Sequence, residues 1–155
     1  MVCAINRSNN IMIMKLSTIN QVAGILSGMK INKITDKETK SAILKDYLAI
    51  RKVSKETENE TSEIAKKFQE DWMEEMVQVK AFRDKEMPLE GHEDYLKAEA
   101  DANQLIADIL SKEVEIELVK ASAEPLYNLD VWGEDNTLGQ IANTVDYLVE
   151  NGIAE

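Results

Sequence analysis

The chain has few of the residues that metal centres, disulfide scaffolds and nucleophilic sites need. It has one cysteine, Cys3, and one histidine, His92, among 155 residues. A single cysteine cannot form an intramolecular disulfide, which argues against a secreted scaffold held together by disulfides. One cysteine and one histidine also cannot complete a zinc site within one chain. The sequence therefore predicts no cofactor and no metal.

Long apolar runs are missing as well. No segment reaches 18 consecutive apolar residues, so no membrane span is predicted. The N-terminal stretch has only a short apolar run, Ile11–Met14, and is a poor match to a signal peptide. We expect residues 1–10 to be a disordered leader and residues 11–155 to form a single helical domain. Three methionines are candidate translation starts: Met1, Met12 and Met14.

Glycine and proline, the strongest helix breakers, are absent from Met29–Met87. Apolar residues recur in this stretch at spacings of three and four, which predicts amphipathic helices. A capping box at Thr35–Glu38 is predicted to open a helix over residues 35–53, and a further helix is predicted over residues 64–79. The intervening residues 54–63 contain no apolar side chain. They are predicted as a break or bend, with a solvated helical turn as the alternative.

One helix is predicted before this stretch and another after it. Ser17 or Thr18 is the predicted start of the first, and Gly28 is its predicted end. The second of these helices follows Met87–Gly91. This segment is predicted to be a loop, because proline lacks a donor and glycine tolerates positive φ. The inner face of that helix is predicted to carry Tyr95, Ala98, Ala102, Leu105, Ile106, Ile109 and Leu110.

The last helix is marked at both ends. Thr137 with Gln140 is predicted to cap its start, and Asn151–Gly152 to end it. Its predicted buried residues are Leu138, Ile141, Val145 and Leu148. The sequence thus predicts a mainly α fold of about five helices in a compact bundle.

A small β element is also predicted. Glu113–Leu118 reads EVEIEL, and this strict alternation predicts a half-buried strand with a charged outer face. A helix extending to Ala123 is the alternative. A lone strand needs a partner, and residues 11–16 are the best candidate to pair with residues 113–119.

Charge is distributed unevenly along the chain. Residues 1–54 have nine basic and three acidic residues, a net charge of +6, and residues 55–155 have nine basic and 26 acidic residues, a net charge of −17. Opposite patches attract over about 10 Å at moderate salt, so the split indicates association with a protein partner or a second copy. The net negative charge argues against nucleic acid as a partner. The predicted interaction surface is Lys37, Lys40, Lys45, Glu70, Asp71, Trp72, Glu74 and Glu75.

Three groups have side chains suited to catalysis or metal binding but lack the matching patterns. His92 stands beside Glu93 and Asp94 without an HExxH motif, which favours an exposed helix start. Asp130–Asn136 offers oxygen ligands but not the alternating acids of a calcium loop, which favours a capped turn. The acidic pairs within Glu70–Glu75 have no clustered histidine and are predicted to be a solvated helix face. The sequence therefore predicts a protein that is not an enzyme.

Three stretches resemble a family of short phage and prophage proteins known only as a domain of unknown function. They are KLSTINQVAGILSGMKINKITDKETKSAILKDYLAIRK, LIADILSKEVEIELVKASAEPL and LGQIANTVDYLVEN. The resemblance spans about residues 14–151 and rests on apolar spacing and the EVEIEL run. It implies a phage-encoded accessory or structural protein, cytoplasmic in a bacterial host or virion-associated, with no functional residues to transfer.

The leading hypothesis is therefore a non-enzymatic accessory protein that acts through helix packing and complementary charge. A second hypothesis is an acidic decoy that occupies a host nucleic-acid-binding protein, based on the acidic faces Glu70–Glu75 and Glu113–Glu117. A third hypothesis is a small metal-dependent enzyme that uses Glu70, Glu74 or His92.

Overall fold

The computed structural model of the chain describes residues 10–155. The leader predicted over residues 1–10 and the prediction for Cys3 lie outside the described residues, except for Asn10, which begins β1. The elements are β1 (Asn10–Lys15), α1 (Leu16–Ser27), α2 (Lys37–Asp84), α3 (Glu93–Ser111), β2 (Glu113–Leu118), α4 (Leu129–Trp132) and α5 (Leu138–Glu150). This confirms a mainly α fold of five helices with a two-stranded sheet. None of the helices within the described range is long and apolar enough to cross a membrane.

The range predicted as one domain divides into two compact units. Residues 10–54 and 113–155 form the first, here named the sheet unit because it contains β1 and β2. Residues 55–112 form the second, here named the hairpin unit because the last part of α2, a loop and α3 make a helical hairpin.

The two predicted strands pair as expected. β1 and β2 are antiparallel, with a register that runs from Asn10 opposite Leu118 to Lys15 opposite Glu113. Met14 and Ile116 are buried on the inner face, whereas Ile13 is exposed on the outer face opposite Glu115. The alternation in EVEIEL therefore corresponds to a strand with one buried and one solvated face.

The core of the sheet unit lies where the inner faces of α1, α5 and the sheet come together. The C-terminal tail of the chain also belongs to this core. Residues 153–155 pair with residues 121–123 through backbone hydrogen bonds of 2.8–2.9 Å. The buried side chains include Met14, Ile19, Val22, Leu26, Ile43, Ile50, Leu118, Leu126, Val131, Ile141, Val145, Leu148 and Ile153.

The prediction for α5 is confirmed at its ends and mostly along its face. Thr137 and Gln140 form the capping box in both directions, and the helix ends at Glu150. Four residues were predicted to be buried, and the prediction is wrong for Leu138, which is 73% exposed. It is the first helical residue, and burial along this face begins one turn later, at Ile141.

The starts of α1 and α2 differ from prediction. Neither Ser17 nor Thr18 caps α1, since β1 runs directly into α1 and the N-cap position is Lys15, with no side-chain hydrogen bond. The cap of α2 is Asp36 instead of Thr35: the backbone N–H of Thr39 donates to Asp36 Oδ2 at 3.0 Å, and the Thr39 hydroxyl donates to the same oxygen. A carboxylate is as good a capping acceptor as a hydroxyl.

The break predicted at residues 54–63 is wrong. α2 is helical throughout this segment, so the second predicted helix continues into the third without a break there. Lysine and glutamate are good helix formers, so a polar stretch without glycine or proline continues a helix. The irregular point of α2 lies further along, in the hairpin unit. It is Trp72, whose φ of −125° and ψ of 20° kink the helix.

Two glycines are expected to respond in opposite directions to alanine. Gly152 has a φ of +76°, and a Cβ there would lie 2.9 Å from Met12 side-chain atoms, so Gly152→Ala should lower the free energy of unfolding by about 1–2 kcal/mol. Gly24 lies inside α1 with nothing within 4 Å of its Cβ position, so Gly24→Ala should raise that free energy by about 0.5–1 kcal/mol. Urea unfolding of both variants measures this, and changes of the same sign would contradict it.

Candidate interaction surfaces

The part of α2 in the sheet unit exposes a line of basic and apolar side chains. The basic stripe consists of Lys37, Lys40, Leu44, Leu48 and Arg51, at helical spacings of three and four. Leu44 is 48% exposed and Leu48 is 56% exposed. Because residues at these spacings share one helix face, the two leucines form the centre of an apolar patch bordered by cations. The predicted surface residue Lys45 is exposed on the flank of this stripe.

The opposite face of the same segment is anchored in the core. Ile43 and Ile50 are buried there, and between them lies Asp46, which is 1% exposed. Asp46 Oδ1 accepts a hydrogen bond from the backbone N–H of Val119 at 2.7 Å, and Oδ2 has no partner among the described residues. Burial raises the pKa of the Asp46 carboxyl to about 7, opposed by that backbone hydrogen bond. We did not predict this group, although its spacing from the two isoleucines places it on the buried face.

The part of α2 in the hairpin unit exposes a second line of side chains. The acidic stripe consists of Glu70, Met73, Glu74 and Val77, all exposed, with Met73 at 57% and Val77 at 68%. Lys66 Nζ lies 4.0 Å from Glu70 Oε1, and both side chains are mostly exposed, so this ion pair contributes little. Asp71 is exposed beside the stripe.

Two residues of the predicted surface contact α3 instead. The Trp72 ring lies edge-on to Tyr95, with ring centroids 5.9 Å apart. Glu75 Oε1 lies 2.9 Å from His92 Nδ1, and the His92 side chain is only 12% exposed. The prediction of an exposed His92 is therefore wrong, although it does stand at the start of α3. Sequence spacing could not show this, because the contacts depend on how the hairpin closes.

Further charged contacts form within the hairpin unit. Arg83 donates two hydrogen bonds to Glu99, at 2.8 and 3.1 Å, and the Tyr95 hydroxyl donates to Glu99 at 3.2 Å. Hydrogen bonding by Arg83 lowers the pKa of the Glu99 carboxyl. In contrast to prediction, Leu105 is exposed on α3. Nowhere in residues 10–155 do three His, Cys, Asp or Glu side chains group as metal ligands would.

The predicted turn at Asp130–Asn136 is confirmed as a capped turn. Asn128 caps α4, because its Oδ1 accepts from the backbone N–H of Asp130 at 3.0 Å. The Asn136 side-chain amide donates to the Trp132 carbonyl at 2.6 Å. The side chains of this turn border a hollow of about 320 Å³ together with Lys30, whose ammonium group already supplies a positive charge there.

A mostly apolar groove of about 570 Å³ runs between α1 and α5 in the sheet unit. The Tyr147 hydroxyl donates to Gln21 Oε1 at 2.6 Å at its edge. Burial raises the pKa of the Tyr147 hydroxyl, with a contribution from Glu150. The groove offers contact area and one phenol, which is an arrangement suited to packing.

The chain was compared with known proteins in three ways. No protein-family model, no curated protein and no solved structure matches it.

Proposed function

We propose that this chain is a non-enzymatic interaction protein, a phage or prophage accessory or structural factor of a bacterial cytoplasm or a virion, that acts through helix packing and complementary charge. The observation that carries the proposal is the pair of stripes on α2. Each stripe has two exposed large apolar side chains, Leu44 with Leu48 and Met73 with Val77, bordered by charge of mainly one sign.

Apolar side chains bordered by charge are typical of protein contact surfaces, where an apolar centre excludes water and a charged rim sets the partner. The arrangement of the other charged groups supports this proposal. Arg83 with Glu99, and Glu75 with His92, pair within the hairpin unit, and none of these four residues belongs to either stripe.

A retention experiment tests the proposal. The immobilised full chain is exposed to lysate of a bacterial host that contains untagged copies of the chain, and is washed at about 0.1 M and about 1 M salt. We expect at least one protein, a lysate protein or the untagged copy, to be retained at the lower salt and released at the higher.

The variants decide whether the stripe is responsible. Alanine at Lys37, Lys40 and Arg51 together should abolish retention, and alanine at three lysines outside the stripe should not. The matched control positions are Lys33, Lys97 and Lys112, all exposed. Equal retention by both triple variants would contradict the proposal. Salt-sensitive retention of a nucleic-acid-binding protein through the acidic stripe would instead support the decoy hypothesis.

A further inference from the structure

We infer that the partner of the basic stripe is the acidic stripe of a second copy of this chain. This inference rests on the proposed function and names the partner. Both stripes lie on exposed helix faces, and their charges are opposite. Each also presents two apolar side chains four residues apart, Leu44 with Leu48 and Met73 with Val77, so the apolar patches have the same length of about 6 Å.

The charge pattern selects an antiparallel docking. With Leu44 opposite Val77 and Leu48 opposite Met73, Lys37 comes level with Asp84 of the second copy, because Lys37 lies seven residues before Leu44 and Asp84 lies seven residues after Val77. This pair is attractive.

A parallel docking would place like charges together. Leu44 would then lie opposite Met73 and Leu48 opposite Val77, which brings Arg51 level with Lys80. Like charges brought into contact are strongly unfavourable. The charge next to the apolar pairs weighs against the parallel docking through Arg51 and Lys80, whereas Lys55 and Asp84 further along would come level in it.

The flank of the contact adds a testable ion pair. Lys45 follows Leu44 by one residue, and Glu74 follows Met73 by one residue, so both lie on the same flank of their stripes. In two helices that pack face to face and antiparallel, equivalent flanks lie next to one another. Lys45 therefore meets Glu74 of the second copy.

The net charge of −11 does not prevent this association at moderate salt. Repulsion between two whole copies is screened beyond about 10 Å at about 0.1 M salt, whereas pairs in contact are screened much less. At about 1 M salt, where screening reaches about 3 Å, the contact pairs weaken as well. Because the two stripes differ, the contact either closes reciprocally into a dimer or continues into a chain.

Sedimentation equilibrium of the full chain tests this inference. The wild-type chain is expected to self-associate at about 0.1 M salt and about tenfold or more weakly at about 1 M salt. Lys45→Glu and Glu74→Lys should each weaken self-association by about tenfold or more, because each creates a like-charge contact. The double variant Lys45→Glu with Glu74→Lys restores the opposite pair and should return to within about threefold of wild type.

Matched controls separate the contact from net charge and folding. Lys33→Glu and Glu90→Lys make the same charge changes at exposed positions outside the stripes and should leave self-association unchanged. Leu48→Gln removes an exposed apolar side chain and should weaken self-association while helical circular dichroism is preserved. If Lys45→Glu fails to fold, Glu74→Lys and Leu48→Gln decide the matter.

A wild-type chain that is monomeric at both salt concentrations would overturn the inference, as would single variants that behave like their controls. The lysate experiment distinguishes this failure from failure of the proposed function. Stripe-dependent retention of a different protein by a monomeric chain would leave the proposed function standing, and loss of all stripe-dependent retention would remove both.

Discussion

Leu148→Ala is expected to lower the free energy of unfolding by roughly 2–5 kcal/mol, because it removes a fully buried side chain and leaves a cavity. Leu148 is 0% exposed in the core of the sheet unit, and its neighbours on the same face of α5, Ile141 and Val145, are also buried. Urea unfolding followed by circular dichroism measures the change.

Leu138→Ala is the matched control on the same helix. It makes the same substitution at an exposed position on α5, so its effect on the free energy of unfolding should stay within about 0.5 kcal/mol. A loss below about 1 kcal/mol for Leu148→Ala, or equal losses for the two variants, would mean that α5 does not pack as described.

Asp46→Asn is expected to change how stability depends on pH. Burial raises the pKa of Asp46 in the folded chain to about 7, against about 3.9 for an unfolded aspartate. The folded chain therefore binds more protons between about pH 4 and pH 7, so this group makes the free energy of unfolding fall as pH rises through that window. The contribution levels off above the folded pKa, and its full size is about 4 kcal/mol.

The asparagine variant isolates this contribution. Its side-chain oxygen can still accept from the Val119 backbone N–H, and it has no charge to bury. The free energy of unfolding of Asp46→Asn, minus that of wild type, should increase by roughly 2–4 kcal/mol from pH 5 to pH 8. Other carboxyl groups are common to both proteins and cancel in the difference.

Asp101→Asn provides the comparison, because Asp101 is exposed on α3. The difference in free energy of unfolding between Asp101→Asn and wild type should be the same at pH 5 and pH 8. A difference for Asp46→Asn that is equally independent of pH would contradict the account of Asp46 as a buried, proton-binding carboxyl.

Local pattern was sufficient to predict much of the fold. The EVEIEL alternation predicted β2, and the need for a pairing strand predicted β1. Thr137 with Gln140 predicted the start of α5, because a capping box involves only residues three apart. Features of this kind depend on neighbours in sequence, so the sequence alone contains them.

The features that were missed depend on tertiary contacts or on competing local rules. Residues 54–63 lack the apolar side chains that mark a helix, but nothing there breaks one. Trp72 and Glu75 share a segment with the acidic stripe and yet contact α3, and the closing of the hairpin decides this. The orphaned Oδ2 of Asp46 depends on the position of β2, which is far away in sequence.

Chemical cross-linking between copies tests the central claim most directly. A carbodiimide joins a lysine amine to a neighbouring carboxylate, and a mixture of isotopically light and heavy copies distinguishes links between copies from links within one. We expect a mixed-isotope link between Lys45 and Glu74 at about 0.1 M salt that weakens at about 1 M. Mixed-isotope links that join other surfaces, or no mixed-isotope link at all, would contradict the account.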